Sequence, residues 1–202
     1  MLSSRPDLAW DFYRWLQPAG PYYLERLESE GAGRPVSKRY STEESGPFKK
    51  FISVNNSDAH RRNIHFLPNA EFLIGSRSKA NMTGVRMLHV DLDCKDYPGS
   101  MGEQCKTILD LLLDASIRPE GIPAPSCVWF TGGGYQALWV MAEPISVTEA
   151  ERLNKGLLVA LRGAKGPHDA SRLLRLPGTI NWLNAKKRAA GREPALAEMI
   201  AP

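Results

Sequence analysis

The sequence predicts a mixed α/β fold of the α+β kind, in which a mostly antiparallel sheet carries a pair of acidic side chains. Residues 85–94 alternate apolar and polar side chains as a half-buried strand does, which places Asp91 and Asp93 on the same face. Two further strand-like runs flank three glycines at 132–134, and such a short, permissive turn joins antiparallel strands. Leucines at helical spacing, as in 100–116, predict helices that pack across the sheet.

The composition is that of an ordinary soluble globular protein. With 202 residues, of which 43% are hydrophobic and 24% charged, the chain is long enough for one well-buried core. The net charge of +4 and the isoelectric point near 9.0 permit a polyanionic partner such as nucleic acid. The three cysteines form no C-x-x-C pair and no histidine lies at zinc-ligand spacing, so we expect a reducing, cytoplasmic location. The first residues given lack the charged-then-apolar pattern of a secretory leader, and the apolar runs are too short to span a bilayer, which fits this expectation.

Residues 1–62 are expected to form a smaller N-terminal α/β part of a single domain that extends to residue 185. Apolar residues at helical spacing predict a helix from Pro6 to Leu16, and a second helix is expected to cover Tyr22 to Leu27, directly after a proline. The charged, glycine-containing stretch 29–46 predicts a mobile or partly extended loop. The stretch 48–54 has mixed periodicity and fits either a strand or a helix.

Residues 63–185 are expected to form the core of the domain, and 186–202 a basic tail or linker. Ser146 has capping-box spacing to the glutamate three residues later, which marks the start of a helix. The remaining predicted elements are, in chain order, a strand at 63–67, a loop or edge hairpin at 71–82, strands at 127–130 and 135–141, and a helix from 147 to about 161.

Three acidic and two basic side chains form a pattern suited to phosphate chemistry. Asp91 and Asp93 end a strand, and Asp169 precedes Arg172 and Arg175. Carboxylates of this kind can hold two divalent cations about 4 Å apart, which stabilise the attacking and leaving oxygens of an in-line displacement. Arginines and backbone N–H groups neutralise a triphosphate, and glycine lets the main chain approach it closely. The set therefore predicts phosphoryl or nucleotidyl transfer with Mg²⁺ or Mn²⁺, although neither a P-loop nor a G-x-G-x-x-G fingerprint is present.

Three motifs resemble those of the archaeo-eukaryotic primase superfamily. They are V-D-L-D at 90–93, T-G-G-G-Y-Q-A-L-W at 131–139 and D-A-S-R-L-L-R-L-P-G-T-I-N-W at 169–182. Within the superfamily, the sequence looks most like the primase-polymerase domains of plasmids, phages and integrated mobile elements, which often precede a helicase. The resemblance implies a ferredoxin- or RRM-like sheet that bears the acids, two Mg²⁺ or Mn²⁺ ions, a single-stranded DNA template and NTP or dNTP substrates.

The same resemblance implies roles for individual residues. Asp91, Asp93 and Asp169 would be the catalytic, metal-binding acids, and a helicase domain or protein is a further expected partner. The residues expected to contact the nucleotide are Thr131, Gly132, Gly133, Gly134, Gln136, Arg172, Arg175 and Asn181.

One position departs from the family pattern. The second motif usually has a histidine two residues after its last glycine, where it meets a nucleotide phosphate, whereas this sequence has Gln136, which donates a hydrogen bond but carries no charge. His89 and His168 lie beside the acids and either compensate or are spectators. An alternative function is therefore a catalytically weak or inactive nucleic-acid-binding module with a primase fold. A Toprim-type primase or nuclease is a third alternative, but it gives no role to Asp169.

Overall fold

The computed structural model describes residues 2–31, 33–163 and 168–201. The helices are α1 (Pro6–Leu16), α2 (Ser45–Asn55), α3 (Met101–Leu113), α4 (Val147–Ala160) and α5 (Ala185–Ala189). The strands are β1 (Tyr22–Glu28), β2 (Val36–Tyr40), β3 (Arg62–Phe66), β4 (Val85–Asp93), β5 (Cys127–Phe130), β6 (Gly134–Ile145), β7 (Leu174–Arg175), β8 (Ile180–Asn181), β9 (Ala195–Leu196) and β10 (Glu198–Ala201). The chain divides into two compact units, which consist of Met1–Glu71 with Leu173–Glu198, and of Phe72–Arg172 with Met199–Pro202.

The first unit is built on a sheet of order β2-β1-β3-β7, in which the paired strands run antiparallel. The predicted first helix is confirmed as α1, and its buried side chains include several aromatic rings. Trp10 contacts Tyr22 of β1 and Phe48 of α2 edge-on, at ring-centroid distances of 5.2 and 5.1 Å. Aromatic rings bury large areas and prefer this edge-to-face geometry. These contacts fix α1 and α2 on the sheet.

Two local predictions in this unit are wrong. Tyr22–Leu27, predicted as a helix, belongs to strand β1, which pairs with β2 on one side and β3 on the other. The stretch 29–46, predicted as a loop, contains β2, an edge strand whose central residues are exposed and therefore lack an apolar alternation. The stretch 48–54, whose periodicity fits either a strand or a helix, is helical, because these residues lie within α2. The strand predicted at 63–67 is confirmed as β3.

The second unit contains the sheet of order β10-β5-β6-β4. The predicted strand that ends in two acids is confirmed as β4, and the predicted hairpin is confirmed as β5 and β6. The predicted α/β fold with a mostly antiparallel sheet is thus confirmed. Leu88, Val90 and Leu92 of β4 point into a hydrophobic core, while Asp91 and Asp93 lie on the opposite face.

Helices α3 and α4 contribute side chains to this core. The predicted N-terminus of α4 is confirmed, because the Ser146 hydroxyl accepts a hydrogen bond from the Glu149 N–H at 3.2 Å. The core side chains from the two helices include Ile108, Leu111, Leu112, Leu157 and Leu158. On the opposite face, the Asp91 and Asp93 side chains stay partly exposed, while their neighbours Met87, His89 and Leu138 are buried.

The segment 186–202, for which the sequence suggests a basic tail or linker, contains the end of α5 together with β9 and β10. β9 pairs with β8, and β10 is a neighbour of β5. Within the described residues, we find no helix with the length and apolarity that crossing a membrane requires.

Candidate active site

Two acidic side chains lie on one face of β4. Asp91 is directly opposite Gln136 of β6, and Asp93 is opposite Gly134. Their side chains keep 31% and 36% of their surface exposed, so solvent reaches both carboxylates. Because residues directly opposite each other in an antiparallel pair share a face, the Gln136 side chain lies beside Asp91. The structure therefore brings the first and second sequence motifs together.

Main-chain hydrogen bonds hold the glycine hairpin against the end of the acidic strand. The Thr131 N–H donates to the Gly134 carbonyl oxygen at 2.9 Å, which closes the turn. The Cys94 N–H, directly after the second acid, donates to the Gly133 carbonyl oxygen at 3.0 Å. Gly132 adopts a φ of +89°, a conformation that glycine adopts without steric cost.

Gly134 is glycine for a reason that the structure shows directly. A Cβ atom at this position would lie 2.0 Å from the carbonyl oxygen of Leu92 and 2.8 Å from the Cα of Asp93. Both obstacles are main-chain atoms of β4, so no rotamer change can relieve them. Close packing of β4 on β6 beside Asp93 therefore requires glycine here.

Each acid of β4 has a cationic partner. The Lys95 ammonium lies 2.7 Å from Oδ2 of Asp93, and Nη2 of Arg172 lies 3.8 Å from Oδ2 of Asp91. Both pairs reach solvent, where an ion pair typically contributes about 0–1 kcal/mol. A ligand that binds the carboxylates more strongly can therefore displace either cation.

The third predicted acid, Asp169, lies in a turn that also carries Arg172. Oδ1 of Asp169 accepts a hydrogen bond from the Ser171 hydroxyl at 2.9 Å, and its carbonyl oxygen accepts one from the Arg172 N–H at 3.1 Å. Since Arg172 reaches the carboxylate of Asp91, the structure connects the third motif to the first.

Three side chains hold the segment 168–172. From α4, the Glu151 carboxylate accepts from the Ala170 N–H at 3.2 Å, and the Asn154 amide donates to the His168 carbonyl oxygen at 3.2 Å. Arg77 donates to the Ser171 carbonyl oxygen at 3.3 Å. The position of Asp169 is thus set by several independent contacts.

His89 is buried on β4, two residues before Asp91, and contacts Asn154. The Asn154 Oδ1 accepts from the His89 N–H at 2.9 Å, so its Nδ2, which lies 3.2 Å from the His89 Nδ1, is left as the donor to that ring nitrogen. The ring proton then sits on Nε2, which has no hydrogen-bond partner among the described residues. Burial lowers the pKa of His89 to about 4, although the negative charge of Asp169 opposes this shift. The imidazole is therefore neutral near pH 7.

Two of the predicted nucleotide contacts belong to the first unit. Arg175 on β7 donates to the Asn63 side-chain oxygen at 2.9 Å, and that oxygen also accepts from the Trp182 N–H at 2.9 Å. Asn181 on β8 is buried. The other predicted residues, Asp91, Asp93, Thr131, Gly132, Gly133, Gly134, Gln136, Asp169 and Arg172, belong to the second unit.

In residues 2–31, 33–163 and 168–201, no three His, Cys, Asp or Glu side chains form a group that could hold a metal ion. The three predicted acids accordingly do not form such a group. Asp91 and Asp93 share a face of β4, and Asp169 lies on the segment whose Arg172 contacts Asp91. The chemistry of the donors nevertheless fits Mg²⁺ or Mn²⁺, which take carboxylate oxygens and keep other positions for water or phosphate.

The sequence did not single out Asn154, Glu151 or Arg77. For Asn154 a signal is present, because this amide lies on the inward face of α4 with Ala150 and Leu157, where a polar side chain is unexpected. For Glu151 and Arg77 the local sequence offers no such signal.

Comparison with known proteins identifies the fold. No protein-family model and no curated protein sequence matches the chain. Solved structures match over nearly its whole length, among them the AEP domain of the cyanophage S-2L primase-polymerase, with 16% identity, a TM-score of 0.67 and coverage of 98% of this chain and 91% of that one. The chain has a primase-polymerase fold.

Two structures of the primase RepB′ share this primase-polymerase fold. One has 13% identity and a TM-score of 0.64, and the match covers 96% of this chain and 56% of that chain. The other, the RepB′ catalytic domain in complex with initiator DNA, has 13% identity and a TM-score of 0.62, with coverage of 97% and 84%. The resemblance to archaeo-eukaryotic primases that the three motifs indicated is confirmed as a likeness of fold.

Proposed function

We propose that the chain is a template-directed nucleotidyltransferase, a DNA primase or DNA polymerase that makes or extends primers on single-stranded DNA. The setting would be replication of a mobile element, plasmid or phage. The observation that supports this most is the placement of Asp91 and Asp93 on one strand face, beside a glycine hairpin, in a chain with a primase-polymerase fold. Since a fold hosts many functions, the site rather than the fold supports the chemistry.

The proposed reaction forms a bond between a hydroxyl oxygen of the primer, or of an initiating nucleotide, and the α-phosphorus of an incoming NTP or dNTP. The bond from the α-phosphorus to the oxygen that bridges it to the β-phosphorus breaks, pyrophosphate leaves, and the hydroxyl proton passes to solvent. Two divalent cations, Mg²⁺ or Mn²⁺, supply charge stabilisation to the attacking and leaving oxygens. Asp91, Asp93 and Asp169 are the residues that would hold them.

The triphosphate would be bound by charged and neutral donors around these acids. Arg172 would exchange its loose contact with Asp91, at 3.8 Å, for the phosphates. Gln136 beside Asp91 would donate a neutral hydrogen bond at the position where the second motif of the primases it resembles usually has histidine. The proposed nucleotide contacts within the second unit are Thr131, Gly132, Gly133, Gly134, Gln136 and Arg172. Arg175 and Asn181, which belong to the first unit, are proposed from their place in the third motif alone.

A primer-synthesis assay tests the proposal. Single-stranded DNA is incubated with the protein, labelled NTPs or dNTPs and either Mg²⁺ or Mn²⁺, with and without an annealed primer. We expect incorporation by the unmodified chain and a loss of at least about 10²-fold in Asp91→Asn and in Asp169→Asn, because each removes a carboxylate that would hold the cations whose charge stabilises the transition state.

The matched control is Asp110→Asn, which removes an acid on α3 that pairs with Lys106 away from the acidic face. This variant should retain full incorporation, and circular dichroism should show that all three variants are folded. Incorporation that survives at the wild-type rate in both Asp91→Asn and Asp169→Asn would exclude the proposed chemistry.

A second candidate is a nucleic-acid-binding module that keeps the fold without catalysis. Gln136 favours it, and so do the cationic partners that Asp91 and Asp93 already have. DNA binding without incorporation of any nucleotide in Mn²⁺ would identify this function. A helicase domain or protein is a proposed partner in either case.

A further inference from the structure

Asn154 is a fully buried amide in the middle of α4 whose hydrogen-bonding groups all have partners. Its oxygen accepts from the main-chain N–H of His89, and its nitrogen donates both to the His89 Nδ1 and to the His168 carbonyl oxygen. The amide oxygen and both N–H groups of Asn154 are therefore all engaged in hydrogen bonds. This side chain therefore bonds to two segments that lie far apart in the sequence.

Both partners of Asn154 lie next to the proposed catalytic acids. His89 precedes Asp91 by two residues on the same strand face, and His168 directly precedes Asp169. β4 is an edge strand in the described part of the chain, because it lies at the end of its sheet, next to β6. The amide thus bonds to the edge of β4 and joins the 168–172 segment to it.

No other side chain of similar size replaces this amide. Aspartate lacks the two N–H donors, leucine lacks polar groups altogether, and glutamine is longer by one methylene. Because Asn154 donates to the His89 Nδ1, it also determines the tautomer and leaves the ring proton on Nε2. Outer contacts of this kind orient functional groups and typically change affinity or activity by about 10- to 100-fold when removed.

We propose that Asn154 is a positioning residue, which holds the segment carrying Asp169 and Arg172 against the strand carrying Asp91. The inference rests on the proposed function in so far as it concerns catalysis. Its structural part, the hydrogen bonds to His89 and to His168, stands independently of any activity.

The experiment compares the unmodified chain with Asn154→Asp, whose carboxylate can accept from the His89 N–H and from a protonated Nδ1 but cannot donate to the His168 carbonyl oxygen. The chain has four histidines, so a long-range ¹H–¹⁵N spectrum of ¹⁵N-histidine protein resolves their rings, and His89→Gln assigns the relevant signals. We expect His89 protonated on Nε2 in the unmodified chain and on Nδ1 in Asn154→Asp. The backbone amide signals of 168–172 should also shift in the variant, and kcat/KM for nucleotide incorporation should fall by about 10- to 100-fold.

Two variants serve as controls. Lys155→Gln changes an exposed neighbour on the same helix and should leave both the spectrum and kcat/KM unchanged. Asn56→Asp perturbs a buried amide of the first unit. It should lower the melting temperature while leaving the His89 tautomer as it is, which separates a specific effect from general destabilisation.

Each outcome either supports the inference or overturns it. His89 protonated on Nδ1 in the unmodified chain would overturn it without any variant, and so would a tautomer that is the same in Asn154→Asp. A changed tautomer with kcat/KM within twofold of the unmodified chain would remove the positioning role while the proposed function stands. If the unmodified chain incorporates no nucleotide, the proposed function fails, and the inference is then decided by whether the amide signals of 168–172 move.

Discussion

Replacement of Gly134 with alanine tests how closely β4 must pack on β6. A Cβ at this position would lie 2.0 Å from the Leu92 carbonyl oxygen, whereas ordinary van der Waals contact begins near 3.4 Å. The strands must therefore separate locally by about 1.4 Å, the difference between these two distances. Overpacking usually costs about 1–3 kcal/mol, and because the obstacle is main chain we expect the upper end, about 3 kcal/mol. For a protein of this size, that corresponds to a melting temperature lower by roughly 6–12 °C.

The same substitution should impair the proposed reaction. Separation of the strands moves Asp93, which is directly opposite Gly134, by about 1 Å, and a misplacement of that size can reduce a rate by about 10²-fold. Thermal unfolding followed by circular dichroism measures the first effect, and primer extension at a temperature where the variant remains folded measures the second.

Gly156→Ala is the matched control. Gly156 lies in α4, and a Cβ there would meet no atom within 4 Å. Alanine in a helix interior is more favourable than glycine by about 1 kcal/mol, so this variant should melt at the same temperature or higher. The packing explanation fails if Gly134→Ala unfolds at the wild-type temperature and retains full incorporation.

Three further predictions concern stability and thiol chemistry. Asn56→Leu should lower the free energy of unfolding by roughly 2–5 kcal/mol, because it leaves a buried N–H and C=O of Ile180 unpaired; a change below about 1 kcal/mol in urea denaturation would contradict this. A mild thiol oxidant such as diamide should join Cys94 to Cys105, whose sulfur atoms lie 3.3 Å apart, and leave the buried Cys127 free; peptide mass mapping that finds Cys127 in the cross-link would refute it. Burial raises the pKa of Cys127 from the ordinary 9.0 to about 12, so between these pH values the unfolded chain releases a proton that the folded chain keeps, and stability falls as pH rises. Cys127→Ala should flatten that part of the pH profile, and an unchanged slope in denaturant titrations would show that another group is responsible.

Local sequence patterns predicted the helices and strands that bury one face and expose the other. α1, α4 and β4 each carry a clear apolar face, and their positions were found from that periodicity. β1 was predicted as a helix because it directly follows a proline, and since its first four residues, Tyr22–Glu25, are all buried, no alternation marks it as a strand. Its partners β2 and β3 stabilise it through contacts that local spacing does not encode.

For the candidate site too, the sequence predicted the parts that depend on local patterns and missed the contacts between distant segments. Asp91, Asp93 and the glycine hairpin follow from strand alternation and turn chemistry, and the structure places them side by side. The contacts that hold Asp169 depend on how α4 packs against the segment 168–172, which a one-dimensional pattern does not specify. A polar residue in an apolar helix stripe, as at Asn154, is the feature that would have indicated such a contact.

The hairpin that ends beside Asp93 is anchored by main-chain atoms, through the bonds from Cys94 to Gly133 and from Thr131 to Gly134. Bonds between peptide groups do not depend on which side chains the bonded residues carry, although burial in the core constrains Cys94 separately. Substitutions in the hairpin that keep the core packed can therefore accumulate over evolutionary time without removing these bonds. An architecture secured in this manner survives extensive divergence, which explains how shape can outlast recognisable similarity of sequence.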